Sequence, residues 1–400
     1  DGELQSVTRG SSAKEGRQFL TAATGARRAV WTEQGPIALA WDGDAGLGDH
    51  SAAHLSLHAP LSQSLNNASH LALAEPQAFI VEMSSQTDAA NPPIWDPNWE
   101  PQDRLNYPAA TSGDFGFEAI PGSGWTPPDP EIAIGPDRII GIVNGRIACF
   151  DRNGTEQWAT DIENSTGFWG SVGADYFVFD PEACWDPHSE RFLAMACERT
   201  GGRSYFLLAV SKDDSPNTKN DWHKYRMDVT GLAGDDIDSA NLAVGTKAIL
   251  LTADFFGPDK YLIYLVDKAS VLGGGAPATN SELISGSHQQ SMGIPVVYDN
   301  NDALYIAQTT ENTTNTTVIL HAITDPFTSY SRVTHTLAVE PYKYPAHPPQ
   351  KGTSSKPYLF EPRFWSCAQR NDAIWAVHHV NNQRSRPRWY QFDLNGWPGG

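Results

Sequence analysis

The sequence has few cysteines and lacks the paired spacing that metal and redox sites use. Its cysteines are Cys149, Cys184, Cys197 and Cys367, and none of them forms a C-x-x-C pair. The spacing therefore argues against a zinc-binding or dithiol function for these residues. Cys184 and Cys197 fall on successive predicted strands, and the pattern fits either two spatial neighbours or two buried free thiols.

Long apolar runs and positive charge are also scarce. No stretch approaches the ~20 consecutive apolar residues of a membrane helix, and Asp1-Gly2-Glu3 does not resemble a signal peptide. The 28 Lys and Arg against 47 Asp and Glu give a formal charge of −19. Nucleic acids and anionic membranes require a basic surface, so we expect neither as a partner and no membrane insertion.

Common catalytic motifs are missing as well. The chain contains no G-x-S-x-G turn, no H-E-x-x-H helix, no phosphate-binding glycine loop and no sialidase Asp-box. His378 and His379 are adjacent, and adjacent residues on a strand point to opposite faces, so they are poorly placed to share one metal ion. The sequence alone therefore identifies no catalytic constellation.

What the sequence does contain is a repeated unit of two short apolar strands and a third that ends in a polar turn. Its copies begin at Asp129, Asp180, Asp238, Gly293 and Glu361, so successive starts are 51, 58, 55 and 68 residues apart. Periods of roughly 40 to 60 residues built only from short strands are typical of propeller blades. We therefore predict an all-β fold, a β-propeller with at least five and at most seven blades.

The first 125 residues interrupt this period. Residues 36–41, 54–58 and 78–83 have the composition of strands, and a connector rich in proline and tryptophan follows at residues 88–130. We interpret residues 1–125 as a partly irregular N-terminal region that completes or caps the propeller. Residues 126–400 are then the blade repeats.

Acidic residues stand at the head of the innermost predicted strand in four of the five copies: Asp129, Asp180, Asp238 and Glu361. Because a propeller gathers these strand heads around its axis, we expect the carboxylates to converge. Such a cluster can bind a cation such as calcium, or divide into acid and base roles on a glycosidic bond. The alternative is a structural role, since aspartate before proline accepts local backbone hydrogen bonds and starts turns.

Other positions are candidates for a cation, a ligand or glycans. A run in which acids alternate with glycine resembles a calcium loop without its later bidentate glutamate, and its acids are Asp42, Asp44 and Asp49. Candidate ligand contacts are Trp169, Trp365, His378 and Arg363. Tryptophan stacks on sugars, although in a propeller it also serves packing between blades. Five N-x-S/T sequons are candidate glycosylation sites, at Asn67, Asn153, Asn164, Asn312 and Asn315.

Several motifs in order resemble those of a group of secreted bacterial β-propeller proteins of uncharacterised function, within the sialidase-like propeller superfamily. The motifs are the segment from Asp129-Pro130 to Asn144, the segment 180–186 with Arg191-Phe192, Ser211 followed by Pro216 and residues 222–225, and residues 375–378 with Arg388-Trp389-Tyr390. The resemblance covers about residues 125–395. It implies a blade fold and a secreted or cell-surface location.

Two functional classes follow. We favour a secreted or cell-surface propeller that binds a protein or glycan through its loop face, without catalysis and without a cofactor other than an optional calcium ion. The alternative is a polysaccharide hydrolase or lyase whose site lies in the central funnel. Two carboxylates roughly 5 to 10 Å apart in an open pocket lined by aromatic rings would favour the enzyme, and a plugged funnel would favour binding. The oligomeric state is left open.

Overall fold

The structure of the protein, a computed structural model, describes most of residues 116–400 and the backbone of five earlier strands. Within residues 116–400 the description leaves out 258, 286–291, 310–314, 351, 358, 360–361, 383 and 400. The earlier strands are β1 (Leu4–Arg9), β2 (Gln18–Ala22), β3 (Gly25–Val30), β4 (Ala38–Asp42) and β5 (Ile80–Met83). Strands β4 and β5 confirm the predictions at residues 36–41 and 78–83, whereas the strand expected at 54–58 lies outside the described residues.

The fold is all-β, and its five sheets form the blades of a five-bladed β-propeller, as the repeat predicts. Four of the sheets have four strands each, and the fifth has nine. The chain divides into two compact units. Unit 1 comprises Asp1–Glu100, Ala307–His321 and Thr334–Gly400, and unit 2 comprises Pro101–Ile306 and Ala322–Val333. This division does not follow sequence order, so the domain boundary expected near residue 125 stays a prediction.

Unit 2 contains three complete blades, each of four antiparallel strands in chain order. Blade 1 comprises β6 (Glu131–Ile134), β7 (Arg138–Val143), β8 (Arg146–Asp151) and β9 (Glu156–Asp161). Blade 2 comprises β10 (Val178–Asp186), β11 (Arg191–Thr200), β12 (Arg203–Ser211) and β13 (Trp222–Asp228). Blade 3 comprises β14 (Ile237–Val244), β15 (Ala248–Phe255), β16 (Lys260–Asp267) and β17 (Thr279–Ser285).

The middle strands of these blades are apolar on both faces. Strand β15 is buried at every position and β12 at all but its first, because a sheet covered on both sides needs apolar residues at successive positions. One buried cluster joins blades 1 and 2 and includes Ile140, Phe168 and Leu207. A second joins blades 2 and 3 and includes Phe206 and Leu251. The core of unit 2 therefore lies between consecutive blades.

The remaining strands complete the other sheets. They are β18 (Met292–Gly293), β19 (Val296–Val297), β20 (Leu304–Gln308), β21 (Asn315–Thr324), β22 (Ser331–Tyr342), β23 (Ser366–Arg370), β24 (Ala373–Asn382) and β25 (Arg384–Asp393). One blade has the order β18-β20-β21-β22. In unit 1, β23, β24 and β25 pair antiparallel, and β25 also pairs with β4 from Arg388↔Asp42 to Phe392↔Ala38. A strand from the N-terminal region thus extends the last sheet.

Helix is scarce in the described part of the chain. Two short helices, α1 (Thr230–Ala233) and α2 (Lys268–Leu272), and a 3₁₀ turn at Gly170–Val172 follow strands of unit 2. None of the described helices has the length and apolar character needed to cross a membrane.

A buried ion pair links blades 2 and 3. Lys268 Nζ lies 2.9 Å from Asp186 Oδ2, and the two side chains are 6% and 0% exposed. The ammonium group also donates to Gly245 O at 2.7 Å. Asp186 accepts further hydrogen bonds from the His188 N–H at 2.9 Å and from the Ser189 hydroxyl. Both charges are therefore removed from water and depend on each other.

Replacing Lys268 should destabilise unit 2 strongly. We expect Lys268→Met to lower the free energy of unfolding by about 3 to 5 kcal/mol, because it leaves the Asp186 carboxylate buried without its counter-charge. The matched control is Lys247→Met, since Lys247 pairs with Asp302 at the surface, where the side chains are 62% and 57% exposed. The control should change stability by less than about 1 kcal/mol in urea unfolding. Equal effects of the two changes would contradict the importance of the buried pair.

All four cysteines are free thiols. Cys184 and Cys197 share the core between blades 2 and 3 but do not face each other in the strand register, where Cys184 pairs with Leu193 and Cys197 with Phe179. Burial raises the pKa of Cys149 to about 12 and raises that of Cys184, Cys197 and Cys367 as well. Cys184 and Cys197 are therefore buried free thiols, which is the second of the two interpretations of the sequence.

The thiols should be unreactive in the folded protein. A raised pKa leaves little thiolate, and the thiolate is the reactive form. We expect a thiol-specific chromogenic reagent at neutral pH to label the native protein slowly and to label all four cysteines at once in denaturant. Rapid labelling of Cys149, Cys184 or Cys197 under native conditions, identified by mass spectrometry, would contradict this burial.

Candidate functional site

The heads of the inner strands of blades 1, 2 and 3 share one backbone distortion. Asp129, Asp180 and Ser239 have positive φ angles of 43°, 48° and 48°. The strand register shifts between Phe179 and Glu182 in β10 and between Asp238 and Asn241 in β14. The bulge therefore aligns Asp180 with Ser239, and Asp238 occupies the place of Phe179. The expectation that Asp238 is the equivalent of Asp180 is wrong by one residue. Both strands carry the same bulge, and blade 3 has Ser239 at the position of Asp180, with its aspartate one residue earlier.

A relay of hydrogen bonds joins the three positive-φ positions, Asp129, Asp180 and Ser239. The buried Asn144 side chain donates from Nδ2 to Asp129 Oδ2 at 2.7 Å and accepts the Asp180 N–H at Oδ1 at 2.9 Å. Asp180 Oδ2 in turn accepts the Ser239 N–H at 2.8 Å. The side chain of one blade thus satisfies the backbone donor exposed by the bulge of the next. The bond from Asn144 to Asp129 lies within blade 1, and the other two bonds run between blades rather than within a local turn.

Asp238 has a different environment from Asp180. Arg199 on β11 places its guanidinium Nη2 at 2.5 Å from Asp238 Oδ2, with side chains 30% and 34% exposed. The same guanidinium group donates to the backbone oxygens of Ile237 and Asp236. Asp238 is therefore a charge-paired carboxylate that solvent can reach.

The pKa of Asp180 is raised into the neutral range. Burial, followed by the negative charge of Asp238, raises the pKa of Asp180 to about 7, although the hydrogen bond from the Ser239 N–H acts in the opposite direction. The charge of Asp129 and a hydrogen bond between the carboxyl groups of Asp129 and Asp180 raise it further. A hydrogen bond between two carboxyl groups requires a proton on one of them. Two neighbouring carboxyl groups, Asp180 and Asp238, thus have different surroundings, one mostly buried and one paired with Arg199.

Two glutamates enlarge the cluster. Burial raises the pKa of Glu131, and it raises the pKa of Glu182 strongly, with added repulsion from Glu131, Asp180 and Asp129. Glu131 lies two residues after Asp129, and Glu182 lies two residues after Asp180, so each ends an Asp-Pro-Glu tripeptide, at 129–131 and 180–182. The sequence interpretation did not single them out, and this tripeptide is the signal that identifies them. We call Asp129, Glu131, Asp180, Glu182 and Asp238 the acidic cluster.

The remaining candidates have their own surroundings in the structure. Glu361 lies outside the described residues. Trp169 is fully buried in the core between blades 1 and 2, with its ring 4.8 Å from that of Phe168, so it is a packing residue and not an exposed ligand contact. In unit 1, His378 is buried, with Pro362 O at 2.9 Å from Nδ1 and Tyr390 Oη at 3.1 Å from Nε2.

Trp365 and Arg363 form a separate, accessible pair in unit 1. Trp365 is 49% exposed, and the guanidinium carbon of Arg363 lies 5.5 Å from the centre of its ring. The ring of His379 lies at 5.7 Å from the same tryptophan. Of the four candidate ligand contacts, Trp365 and Arg363 are the two whose side chains solvent can reach.

The remaining candidates concern metal and glycans. The side chains of Asp42, Asp44 and Asp49 lie outside the described residues, and no group of three or more His, Cys, Asp or Glu within the described part of the chain could hold a metal ion. Asn67 and Asn312 also lie outside it. Asn153 is exposed after β8, and Asn164 is half-buried. Asn315 is buried, which does not suit glycan attachment to the folded chain.

An open cleft of about 280 Å³ in unit 2 does not involve the acidic cluster. Its lining residues are Thr246, Lys247, Asp267, Lys268, Ala269, Leu272 and Phe327. The acidic cluster instead lies on the surface end of the inner strands, where Glu131 is exposed and Asp180 is partly exposed.

No protein-family model matches the chain, and no curated protein sequence matches it. Solved structures are similar in shape. An exo-β-1,3-galactanase from Phanerochaete chrysosporium with galactose matches with a TM-score of 0.36 and 8% identity, over 66% of this chain and 60% of that chain. Trypanosoma rangeli sialidase in complex with sialic acid matches with a TM-score of 0.38 and 12% identity, over 67% of this chain and 44% of that chain. The catalytic domain of an α-L-arabinofuranosidase from Coprinopsis cinerea matches with a TM-score of 0.34 and 7% identity, over 68% of this chain and 94% of that chain.

At these identities and TM-scores the matches identify neither a superfamily nor an activity for this chain. The chain spans about 60% of the galactanase and 44% of the sialidase. The resemblance to a group of secreted bacterial propellers within the sialidase-like superfamily therefore stays a prediction.

The raised pKa of Asp180 predicts a specific pH dependence of stability. Its ordinary value is 3.8 and its folded value about 7, so between these values only the folded state holds the proton. Stability from this group is fully present below the ordinary value and is lost as the pH rises through about 7. In Asp180→Asn the side chain stays neutral and can still accept the Ser239 N–H. We therefore expect the melting temperature of the variant, relative to the parent protein, to rise by at least about 2 °C between about pH 5 and about pH 8.

Asp302→Asn is the matched control for that measurement. The hydrogen bond from Lys247 lowers the pKa of Asp302, so its stability contribution is present at neutral pH and lost only in acid. The difference between this variant and the parent should stay flat over the same pH range. A flat difference for Asp180→Asn as well would show that Asp180 is ionised throughout.

Proposed function

We propose that the protein is a glycoside hydrolase acting on a polysaccharide, with the acidic cluster of unit 2 as its active site. The observation that carries the proposal is the unlike surroundings of two neighbouring carboxyl groups: burial and the charge of Asp238 raise the pKa of Asp180 to about 7, whereas Asp238 pairs with Arg199. Hydrolysis of a glycosidic bond needs both a carboxylic acid and a carboxylate. Environments that separate the protonation of two carboxyl groups are the usual basis for such roles.

Asp180 is the proton donor in this mechanism. It gives its proton to the glycosidic oxygen as the bond to the anomeric carbon breaks, and the Ser239 N–H at 2.8 Å stabilises the carboxylate that remains. Asp129 shares a hydrogen bond with Asp180 and helps to keep the proton there before the reaction. Asp238 supplies the carboxylate that either activates water or attacks the anomeric carbon. The anomeric configuration of the first product distinguishes these two routes.

A binding module is the second candidate. The exposed Trp365, with Arg363 over its ring, favours it, because an accessible aromatic pair can hold a glycan or a protein loop without any acid chemistry. The acidic cluster would then serve only to join the blades. Either function belongs to a secreted or cell-surface protein in this proposal.

Asp180→Asn should abolish hydrolysis. We expect kcat to fall by at least about 100-fold, because the amide cannot donate a proton to the leaving oxygen. The measurement is release of reducing ends from a panel of plant, bacterial and marine polysaccharides, with Asp302→Asn as the surface control. Activity of the parent protein should also decline above about pH 7 as Asp180 loses its proton.

The panel separates the two candidates. Retention of a polysaccharide on the protein without product release by the parent would contradict the hydrolase and support the binding module. Release that is unchanged in Asp180→Asn would place the chemistry elsewhere in the chain.

A further inference from the structure

A group of aromatic rings lies beside the acidic cluster. The ring centres of Trp125 and Phe177 are 5.9 Å apart with planes tilted by 34°, and those of Phe177 and Phe179 are 4.7 Å apart. Phe179 is buried, whereas Phe177 is 37% and the adjacent Tyr176 is 71% exposed. We call Trp125, Tyr176 and Phe177 the aromatic platform.

Covalent and packing contacts fix the platform next to the acids. Phe179 directly precedes Asp180, and the guanidinium carbon of Arg199 lies 5.1 Å from the centre of its ring while Nη2 pairs with Asp238. On the other side, Trp125 packs against Gly145, where an added Cβ would lie 3.0 Å from the indole. Gly145 follows Asn144, the residue that binds both Asp129 and Asp180.

The backbone of Phe177 is strained in a way that packing does not require. Its φ is +53°, a left-handed conformation that is unusual for a bulky residue. The Arg199 N–H donates to Phe177 O at 3.3 Å and holds this conformation. Because the ring is only partly buried, the core gains little from it. Strain of this kind is concentrated at ligand-binding positions.

We propose that the aromatic platform is a sugar-binding subsite of the proposed hydrolase and that it takes a neutral pyranose or furanose ring of the polysaccharide. Sugar rings carry apolar C–H faces that pack on Trp125 and Phe177, and their hydroxyls are donors for the nearby carboxylates. Uronate or sulfated sugars would meet the negative charge of the acidic cluster, whose only described cation at this place, Arg199, is paired with Asp238. The proposal rests on the hydrolase function of the same site.

The test uses the full chain with β-glucan, xylan, arabinan and galactan as neutral probes and polygalacturonate as the anionic one. Trp125 contributes to the core, so Phe177 is the better position to change. Phe177→Asn removes the ring and suits the left-handed backbone, so the melting temperature should be unchanged or raised. Phe177→Tyr keeps a ring, and Tyr344→Ala is an exposed aromatic control in unit 1.

We expect Phe177→Asn to raise KM on a neutral polysaccharide by about tenfold with little change in kcat, and to reduce retention in affinity electrophoresis by a similar factor. Phe177→Tyr and Tyr344→Ala should behave like the parent protein. Retention that depends on Phe177 but comes without turnover would support the subsite and overturn the hydrolase. Turnover that is indifferent to Phe177→Asn, preference for polygalacturonate, or neither retention nor turnover on any neutral probe would overturn the subsite.

Discussion

The need to cover both faces of every small sheet governs unit 2. A four-stranded sheet with apolar residues at successive positions, as in β12 and β15, cannot leave either face in water. The two buried clusters lie between blades 1 and 2 and between blades 2 and 3, so each blade completes the core of its neighbour. The same stacking brings the heads of the inner strands close enough for a side chain of one blade to bind the backbone of the next. The acidic cluster therefore forms as a consequence of the packing of each blade on its neighbour.

The closeness of the carboxyl groups at the strand heads then shifts their pKa values. Five carboxyl groups close together, with burial as the largest influence on Asp180 and Glu182, cannot all be ionised. Arg199 pairs with one of them, Asp238, while burial raises the pKa of Asp180 and of Glu182. One arginine on β11 thus gives Asp238 surroundings that differ from those of Asp180. The hydrogen bonds that join the blades and the proposed proton donor share the same atoms, so structural and catalytic roles are not alternatives at Asp180.

Sequence reasoning reached the fold because the repeat is carried by apolar runs and turns, which are local signals. It found Asp129 and Asp180 for the same reason, since each opens a copy of the repeat. It misplaced Asp238, because it matched aspartate with aspartate, whereas the strand pairing puts Ser239 at the position of Asp180. It assigned Trp169 to a ligand and missed Trp125 and Phe177, because the composition of a segment does not show whether a ring faces the core or the solvent. The pairing of Arg199 with Asp238 joins residues 39 positions apart and has no local signal.

The bulge at Ser239 shows that the blades are not interchangeable parts. Its N–H is satisfied by the carboxyl group of Asp180 from the preceding blade, and the Asp180 N–H is satisfied by Asn144 from the blade before that. Blade 3 has Ser239 where the two earlier blades have aspartate. The Ser239 N–H donates to Asp180, but blade 3 has no carboxylate at this position to accept a hydrogen bond from a following blade. Exchanging the order of blades, or inserting a copy of blade 3 ahead of blade 2, would leave a backbone donor without its acceptor. The unit therefore has a defined direction, which limits how such a chain can be lengthened by duplicating its repeats.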